Sequence, residues 1–167
     1  MKLTSAIAAL ALSAGAAHAQ TIVDIAAGDE RFTTLVAAVT AAGLAEALAG
    51  PGHFTVFAPV NDAFAALPAG TVDTLLKPES KEQLTKVLTC HVVAANVMAE
   101  ALVKMISDNG GEADVTTVGG CVLKAKAADG KVTLTDENGG VSTVTIADVK
   151  QSNGVIHVVD AVILPKM

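Results

Sequence analysis

The chain has 167 residues and a formal net charge of −6 at neutral pH, which is the length of one ordinary domain. The acidic balance argues against a nucleic acid partner, because phosphate binding needs a basic stripe. Four phenylalanines are its only aromatic residues apart from histidine, which argues against binding of sugars or bases by aromatic stacking.

The N-terminal residues have the pattern of an export signal. Lys2 precedes an apolar run over residues 3–17, and Ala17-His18-Ala19 fits an A-x-A cleavage site. The run is too short, and too rich in alanine and serine, to favour a membrane span. We therefore expect a signal peptide over residues 1–19 and one domain over residues 20–167, with no integral membrane segment after cleavage. Removal of Lys2 with no acidic residue changes the net charge from −6 to −7.

The first half of the mature chain has helical periodicity. Phe32, Leu35, Val36 and Val39 share one face of a helix that Gly43 can end. Further helices are predicted over residues 44–48, 78–91 and 98–106, and a short one runs through Phe64 to Leu67.

A strand and a helix cap are predicted between these helices. The apolar segment FTVFA, residues 54–58, predicts a buried strand that Pro59 stops. Asn61 or Asp62 is then expected to cap the helix that follows, its side-chain oxygen accepting a free backbone N–H. In the helix 78–91, His91 continues the apolar spacing of Leu84 and Leu88.

From Glu112 onward the hydrophobic period changes to two. Gly119-Gly120, Asp129-Gly130 and Asn138-Gly139 supply the positive φ angles that tight hairpin turns need. Strands are predicted over residues 113–118, 121–127, 131–136, 141–146, 155–159 and 161–164. Because helices must cover the apolar faces of this mostly antiparallel meander, the pattern predicts an α+β domain.

Cys90 and Cys121 are the two cysteines of the chain. After export, a disulfide between them would close a loop of about 30 residues, worth roughly 3 to 4 kcal/mol. The alternative is a pair of buried free thiols, since the sequence does not show whether the two Cα atoms come within about 7 Å.

The sequence carries no motif for catalysis or for metal binding. His53, His91 and His157 lack zinc-site spacing, and the P-loop, dinucleotide-binding and G-x-S-x-G motifs are missing. We therefore predict a protein that is not an enzyme, with no catalytic residue, no metal and no cofactor. His157, flanked on both sides by β-branched residues, is expected to lie in a buried strand as a neutral, hydrogen-bonded structural histidine.

Three segments together resemble fasciclin-like domains. FTVFAPVNDAFAALP, Phe54 to Pro68, is similar to the first signature of that family, and SNGVIHVVDAVILP, Ser152 to Pro165, to the second. VLTCHVV, residues 87–93, resembles the family's central tyrosine-histidine segment. Cys90 stands where the family usually has tyrosine, so an aromatic hydroxyl proposed to act in adhesion is missing, and the substitution favours the disulfide.

The resemblance implies a wedge of two mostly antiparallel β-sheets with helices packed around its edge. It also implies an exported adhesion module, periplasmic or extracellular, that binds a protein or polymer of the cell surface or envelope; we expect it to be monomeric. The alternative is a periplasmic carrier of a small apolar ligand, held in a groove between helices and sheet. Residues expected by position to support the core and its turns are Thr55, Phe57, Pro59, Asn61, Asp62, Phe64, His91, Asn153, Gly154, His157 and Asp160.

Overall fold

The structure is a computed structural model that describes residues 20–166, so the predicted signal peptide lies outside the described residues. The α-helices are α1 (Ile22–Gly28), α2 (Thr33–Ala42), α3 (Ala45–Ala49), α4 (Asn61–Ala65), α5 (Thr71–Leu75), α6 (Lys81–Thr89) and α7 (Ala99–Asp108). The β-strands are β1 (Phe54–Pro59), β2 (Val92–Val93), β3 (Glu112–Thr116), β4 (Val122–Ala128), β5 (Lys131–Thr135), β6 (Val141–Gln151) and β7 (Gly154–Val159). The predicted α+β class is confirmed, while α1, α5 and β2 were not predicted.

The predicted helices of the first half are present, with one correction at the end of α6. Gly43 ends α2 in the left-handed region, at φ 73°, and its N–H donates to Thr40 O. His91 was predicted on the apolar face of the helix 78–91, but α6 ends at Thr89. The His91 N–H donates to Leu88 O, which tightens the last turn and leads the chain into β2.

The predicted cap of α4 is also wrong. The N-cap position is Val60, which has an extended backbone and makes no side-chain cap bond, so Asn61 is already the first helical residue. The Asn61 side chain instead reaches the start of α2, where its Oδ1 accepts from Thr34 N at 3.1 Å. Its Nδ2 donates to Glu30 O at 2.8 Å. Asn61 therefore caps a helix that precedes it in the chain.

All seven strands follow one continuous order, β2-β1-β7-β6-β5-β4-β3. Every neighbouring pair is antiparallel except β1 and β7, which are parallel. The first residues of β6 pair with β5, and its remainder pairs with β7 through two register shifts between Val144 and Val149. The bent β6 thus joins the two halves of the predicted wedge, and the mostly antiparallel arrangement is confirmed.

The two ends of this sheet meet. Beyond β3, the Val118 N–H donates to Val92 O of β2 at 2.8 Å, and the Gly119 N–H donates to Thr89 O at 3.1 Å. A disulfide joins Cys90 to Cys121 at the same place, with their Cα atoms 5.4 Å apart. The sheet is therefore nearly a barrel, and the contacts cover strand edges that would otherwise be open to other chains.

Strands β1 and β7 are buried on both faces, which explains their continuous apolar sequences. On one face, Val56 and Ile156 pack against a cluster formed by helices α1 to α6. On the other, Phe57 and Val159 join a second cluster inside the curved sheet, to which α7 contributes Leu102 and Ile106. The two cores thus share the central pair of strands.

The last predicted strand, over residues 161–164, is not formed. The Ile163 N–H donates to His91 Nε2 at 2.9 Å, and the Leu164 N–H donates to Asp136 Oδ2 at 3.1 Å. Because side chains bind these backbone donors, the segment lies extended against the domain without joining the sheet.

Candidate functional site

The two signature segments lie side by side at the centre of the molecule. Strands β1 and β7 pair in register from Phe54 opposite Gly154 to Pro59 opposite Val159. Phe57 lies opposite His157, and their rings stack with centroids 5.6 Å apart. The Phe57 N–H donates to His91 O at 2.8 Å. The three segments identified in the sequence thus converge on Phe57, His157 and His91.

His157 is 1% exposed, and both of its ring nitrogens are bonded to backbone. The Asp148 N–H donates to Nδ1 at 3.2 Å, so Nδ1 is the unprotonated nitrogen. Nε2 then carries the proton and donates to Val97 O at 2.6 Å. The ring therefore joins β7 to the bend of β6 and to the loop before α7.

His91 is held in the same manner but with the opposite tautomer. Nδ1 donates to Val87 O at 2.8 Å, and Nε2 accepts from Ile163 N at 2.9 Å. Burial lowers its pKa from 6.5 to about 4, because desolvation outweighs the opposing effects of the Val87 carbonyl and Asp136. His91 is thus neutral near pH 7 and joins α6 to the C-terminal segment.

Thr55 and Asn153 bind loops that come from distant parts of the chain. The buried Thr55 Oγ1 donates to Ala95 O at 2.5 Å and accepts from Val97 N at 2.7 Å, which fixes the approach to α7. Asn153 Oδ1 accepts from the first amide of α1, Ile22 N, at 3.1 Å. Its Nδ2 donates to Leu48 O at 2.6 Å, so Asn153 holds α1 and the end of α3 against β7.

The remaining signature residues lie around this network. A Cβ on Gly154 would collide with Phe54 O and lie 2.9 Å from Ile22 Cδ1, so β7 approaches β1 too closely for a side chain. Asp160 Oδ1 accepts from Thr143 N at 2.8 Å at the end of β7. Pro59 and Phe64 are buried, whereas Asp62 is exposed. Asn61, Asp62 and Asp160 are therefore not part of the central cluster.

Two aspartates with similar roles were missed in the sequence. Asp148, at φ 58° in the bend of β6, accepts from Ala99 N through Oδ1 at 2.7 Å and so caps α7. Asp136 Oδ1 accepts from Asn138 N and Gly140 N, while Oδ2 accepts from Leu164 N. The turn sequence DENGG, residues 136–140, is a signal for the Asp136 bonds within the turn. No local pattern indicates the bond from Asp148 to α7.

This network of hydrogen bonds holds backbone segments together and leaves neither buried histidine a free ring nitrogen for a substrate. The ring nitrogens of His91 and His157 are all engaged by backbone, so neither imidazole has a free atom for a proton transfer or a metal bond. Within residues 20–166, no three His, Cys, Asp or Glu side chains are grouped so as to hold a metal ion. Over the same residues, no helix is long and apolar enough to span a membrane.

The fold and the paired signature segments define a fasciclin-like domain. The family model described as the fasciclin domain matches residues 30–165, and the chain belongs to this family. Protein sll1483 of Synechocystis sp. is 51% identical over 98% of this chain and 84% of its own length. Immunogenic protein MPB70 of Mycobacterium bovis is 34% identical over 84% of this chain and 66% of its own.

Relatives also include a longer animal protein. Transforming growth factor-beta-induced protein ig-h3 of Sus scrofa is 35% identical over 87% of this chain, which matches 19% of that protein. Among solved structures, a FAS1 domain pair from the insect cell adhesion molecule Fasciclin I has a TM-score of 0.53 at 21% identity. The match covers 84% of this chain and 43% of that one, and it shows the shared fold.

Proposed function

We propose that this protein is an exported, monomeric adhesion module without catalytic activity, which binds a protein or polymer of the cell surface or envelope. Membership of the fasciclin family supports a binding role, and the insect neighbour Fasciclin I is a cell adhesion molecule. The buried signature residues bond to backbone within the domain, so we place binding on the exposed surface.

The outer face of strands β3 to β6 is the surface that best fits adhesion. Leu123, Ala125 and Leu134 point from β4 and β5 into the core, so the alternate positions of these strands face solvent. Two exposed valines lie on this outer face: Val122 is 37% exposed and Val141 is 55% exposed. Exposed apolar side chains on the outer face of the sheet favour a protein or polymer partner.

Charged and hydroxyl groups surround the two valines. Lys124 and Lys126 of β4 both pair with Glu112 of β3, at 3.0 and 2.9 Å. In β5, Thr135 pairs in register with Val141 on one side and with Lys124 on the other. The face thus offers apolar contact with a polar surround, as in the core and rim of a protein interface. This uncovered face, with its two valines, is the observation that carries the proposal.

The test is capture of envelope components on the immobilised mature protein, with identification by mass spectrometry and a binding measurement on the purified partner. The double variant Val122→Thr/Val141→Thr keeps β-branched side chains and removes apolar surface, so the fold should persist. We expect it to weaken binding of the identified partner about ten-fold. The matched control Met105→Gln, at a 37% exposed position of α7, should bind as the wild type does. Equal binding by the double variant would contradict the assignment of binding to this surface.

The carrier alternative finds no support in the enclosed apolar cavity between α1, α2 and β1. That cavity leaves about 30 Å³ for a water-sized molecule, against the roughly 300–1,000 Å³ of small-ligand sites.

A further inference from the structure

A second depression has the size of a ligand site. It lies between α7 and strands β5 and β6 and has a volume of about 330 Å³. Leu102 and Val103 line it from the helix, and Val132 and Val144 line it from the strands. Val103 is 41% exposed, so part of this apolar lining is open to water. We call this depression the α7 groove.

The fold holds the walls of the α7 groove in place. The register of β6 against β7 shifts twice between Val144 and Val149, and Asp148 at φ 58° lies in this bend. The Asp148 carboxylate accepts from Ala99 N at 2.7 Å, which ties the bend to the start of α7. His157, which also lines the groove, has both ring nitrogens bonded to backbone. These hydrogen bonds therefore hold the walls of the groove in place.

One cation lines the groove without an ionic partner of its own. Lys131, at the start of β5, makes no ion pair or side-chain hydrogen bond with the described residues. By contrast, Lys104 of α7 and Lys124 of β4 are each paired with a carboxylate. The carboxylate of Asp148, the neighbour of groove-lining Ala147 in β6, accepts from Ala99 N at the start of α7. The α7 groove thus combines apolar walls with one unpaired positive charge.

We propose that the α7 groove binds a small amphipathic monocarboxylate. Its apolar chain lies against Leu102, Val103, Val132 and Val144, and its carboxylate binds Lys131. The volume of about 330 Å³ is at the lower end of the range for small-ligand sites, which fits a chain of medium length. This proposal is separate from the adhesion proposal and does not depend on it.

The experiment is a titration of the isotope-labelled mature protein with sodium octanoate, followed by backbone amide chemical shifts. We expect saturable shifts for Val103, Lys131 and Ala147, with a dissociation constant of about 1 mM or below. Octanol, which has the same chain without the charge, should bind at the same place more weakly. Lys131→Gln should weaken octanoate binding about five-fold and leave octanol binding unchanged.

Two further variants separate groove binding from general surface effects. Ala147 lines the groove and is exposed, so Ala147→Phe should fill the groove without disturbing the core and should abolish binding of both probes. Lys150→Gln changes an exposed lysine of the same strand outside the groove lining and should leave binding unchanged. The proposal is overturned by shifts that do not saturate, by octanoate binding that survives Ala147→Phe, or by equal binding of octanol and octanoate.

Discussion

At the scale of single residues, the two buried histidines are fixed in place by their hydrogen bonds. Each donates one N–H to a carbonyl and accepts one backbone N–H. A protonated His91 would present a second donor to the Ile163 N–H, which is itself a donor, and it would be a buried cation. The stability of the domain should therefore depend on pH through His91, whose pKa is lowered by burial.

We predict that the free energy of unfolding falls as the pH is lowered from about 6.5 to about 4. The folded-state pKa of His91 is lowered from 6.5 to about 4, so in this window the unfolded chain takes up a proton that the folded chain does not. The loss should total about 3 kcal/mol and should stop below the folded pKa. Urea unfolding at a series of pH values measures it.

Two substitutions test whether His91 is the cause. His91→Gln removes the titrating group, so its unfolding free energy should be lower overall but nearly independent of pH in this window. His53→Gln, at an exposed position, should keep the wild-type slope. Asp29, whose pKa the neighbouring Arg31 lowers to about 2, contributes only at more acidic pH. A slope that persists in His91→Gln would show that another group is responsible.

At the scale of secondary-structure elements, helix ends are capped by residues from elsewhere in the chain. Asn61 caps α2, Asp148 caps α7 and Asn153 binds the first amide of α1. In each case a side-chain amide or carboxylate oxygen from a distant part of the chain accepts from a free N–H at the start of a helix. These caps fix how the helices lie against the sheet.

Substitution of Asn61 and of its neighbour Asp62 should change the free energy of unfolding by different amounts. Asn61→Ala should lower the free energy of unfolding by about 1 to 2 kcal/mol, because the α2 cap and the bond to Glu30 O are both lost. Asp62→Ala should change it by less than about 0.5 kcal/mol, since Asp62 is exposed and makes no cap bond. Thermal and urea unfolding of the two variants would measure this difference. A larger effect for Asp62→Ala would instead support the local helix cap that the sequence predicts.

The same elements show what the sequence could predict. Hydrophobic periodicity located α2 and the strands of the meander, because the pattern of burial is local to each element. It could not show that Asn61 caps α2, that β1 lies parallel to β7 or that His91 accepts from Ile163 N, since these partners are distant in sequence. The segment 161–164 looked like a strand because Val162 and Ile163 are buried, although side chains satisfy its backbone.

At the scale of the whole molecule, export is the first prediction. The mature protein recovered from the envelope or medium of its host should begin at Gln20, because the A-x-A pattern ends at Ala19. N-terminal sequencing or intact-mass measurement after cell fractionation would establish this. A variant with Ala17→Leu and Ala19→Leu disrupts the cleavage site and should retain residues 1–19. Recovery of uncut wild-type chain from the cytoplasm would contradict export.

The disulfide needs the oxidising environment that export provides, and it in turn stabilises the fold. In the oxidising environment outside the cytoplasm, Cys90 and Cys121 can bridge the two ends of the sheet, beside the bond from Val118 N to Val92 O. The bridge spans 31 residues, so the chain-entropy model predicts a contribution of roughly 3 to 4 kcal/mol. The unreduced protein should take up no thiol label even when it is denatured.

We predict that Cys90→Ala/Cys121→Ala lowers the free energy of unfolding by roughly 3 to 4 kcal/mol while the secondary structure remains, because the two backbone bonds at the closure do not need the sulfurs. Reduction of the wild type should lower its melting temperature, whereas the same reductant should leave the double variant unchanged. Urea unfolding of both proteins, with and without reductant, makes the comparison. Full thiol labelling of the unreduced, denatured wild type would show that the ends of the sheet are held without a disulfide.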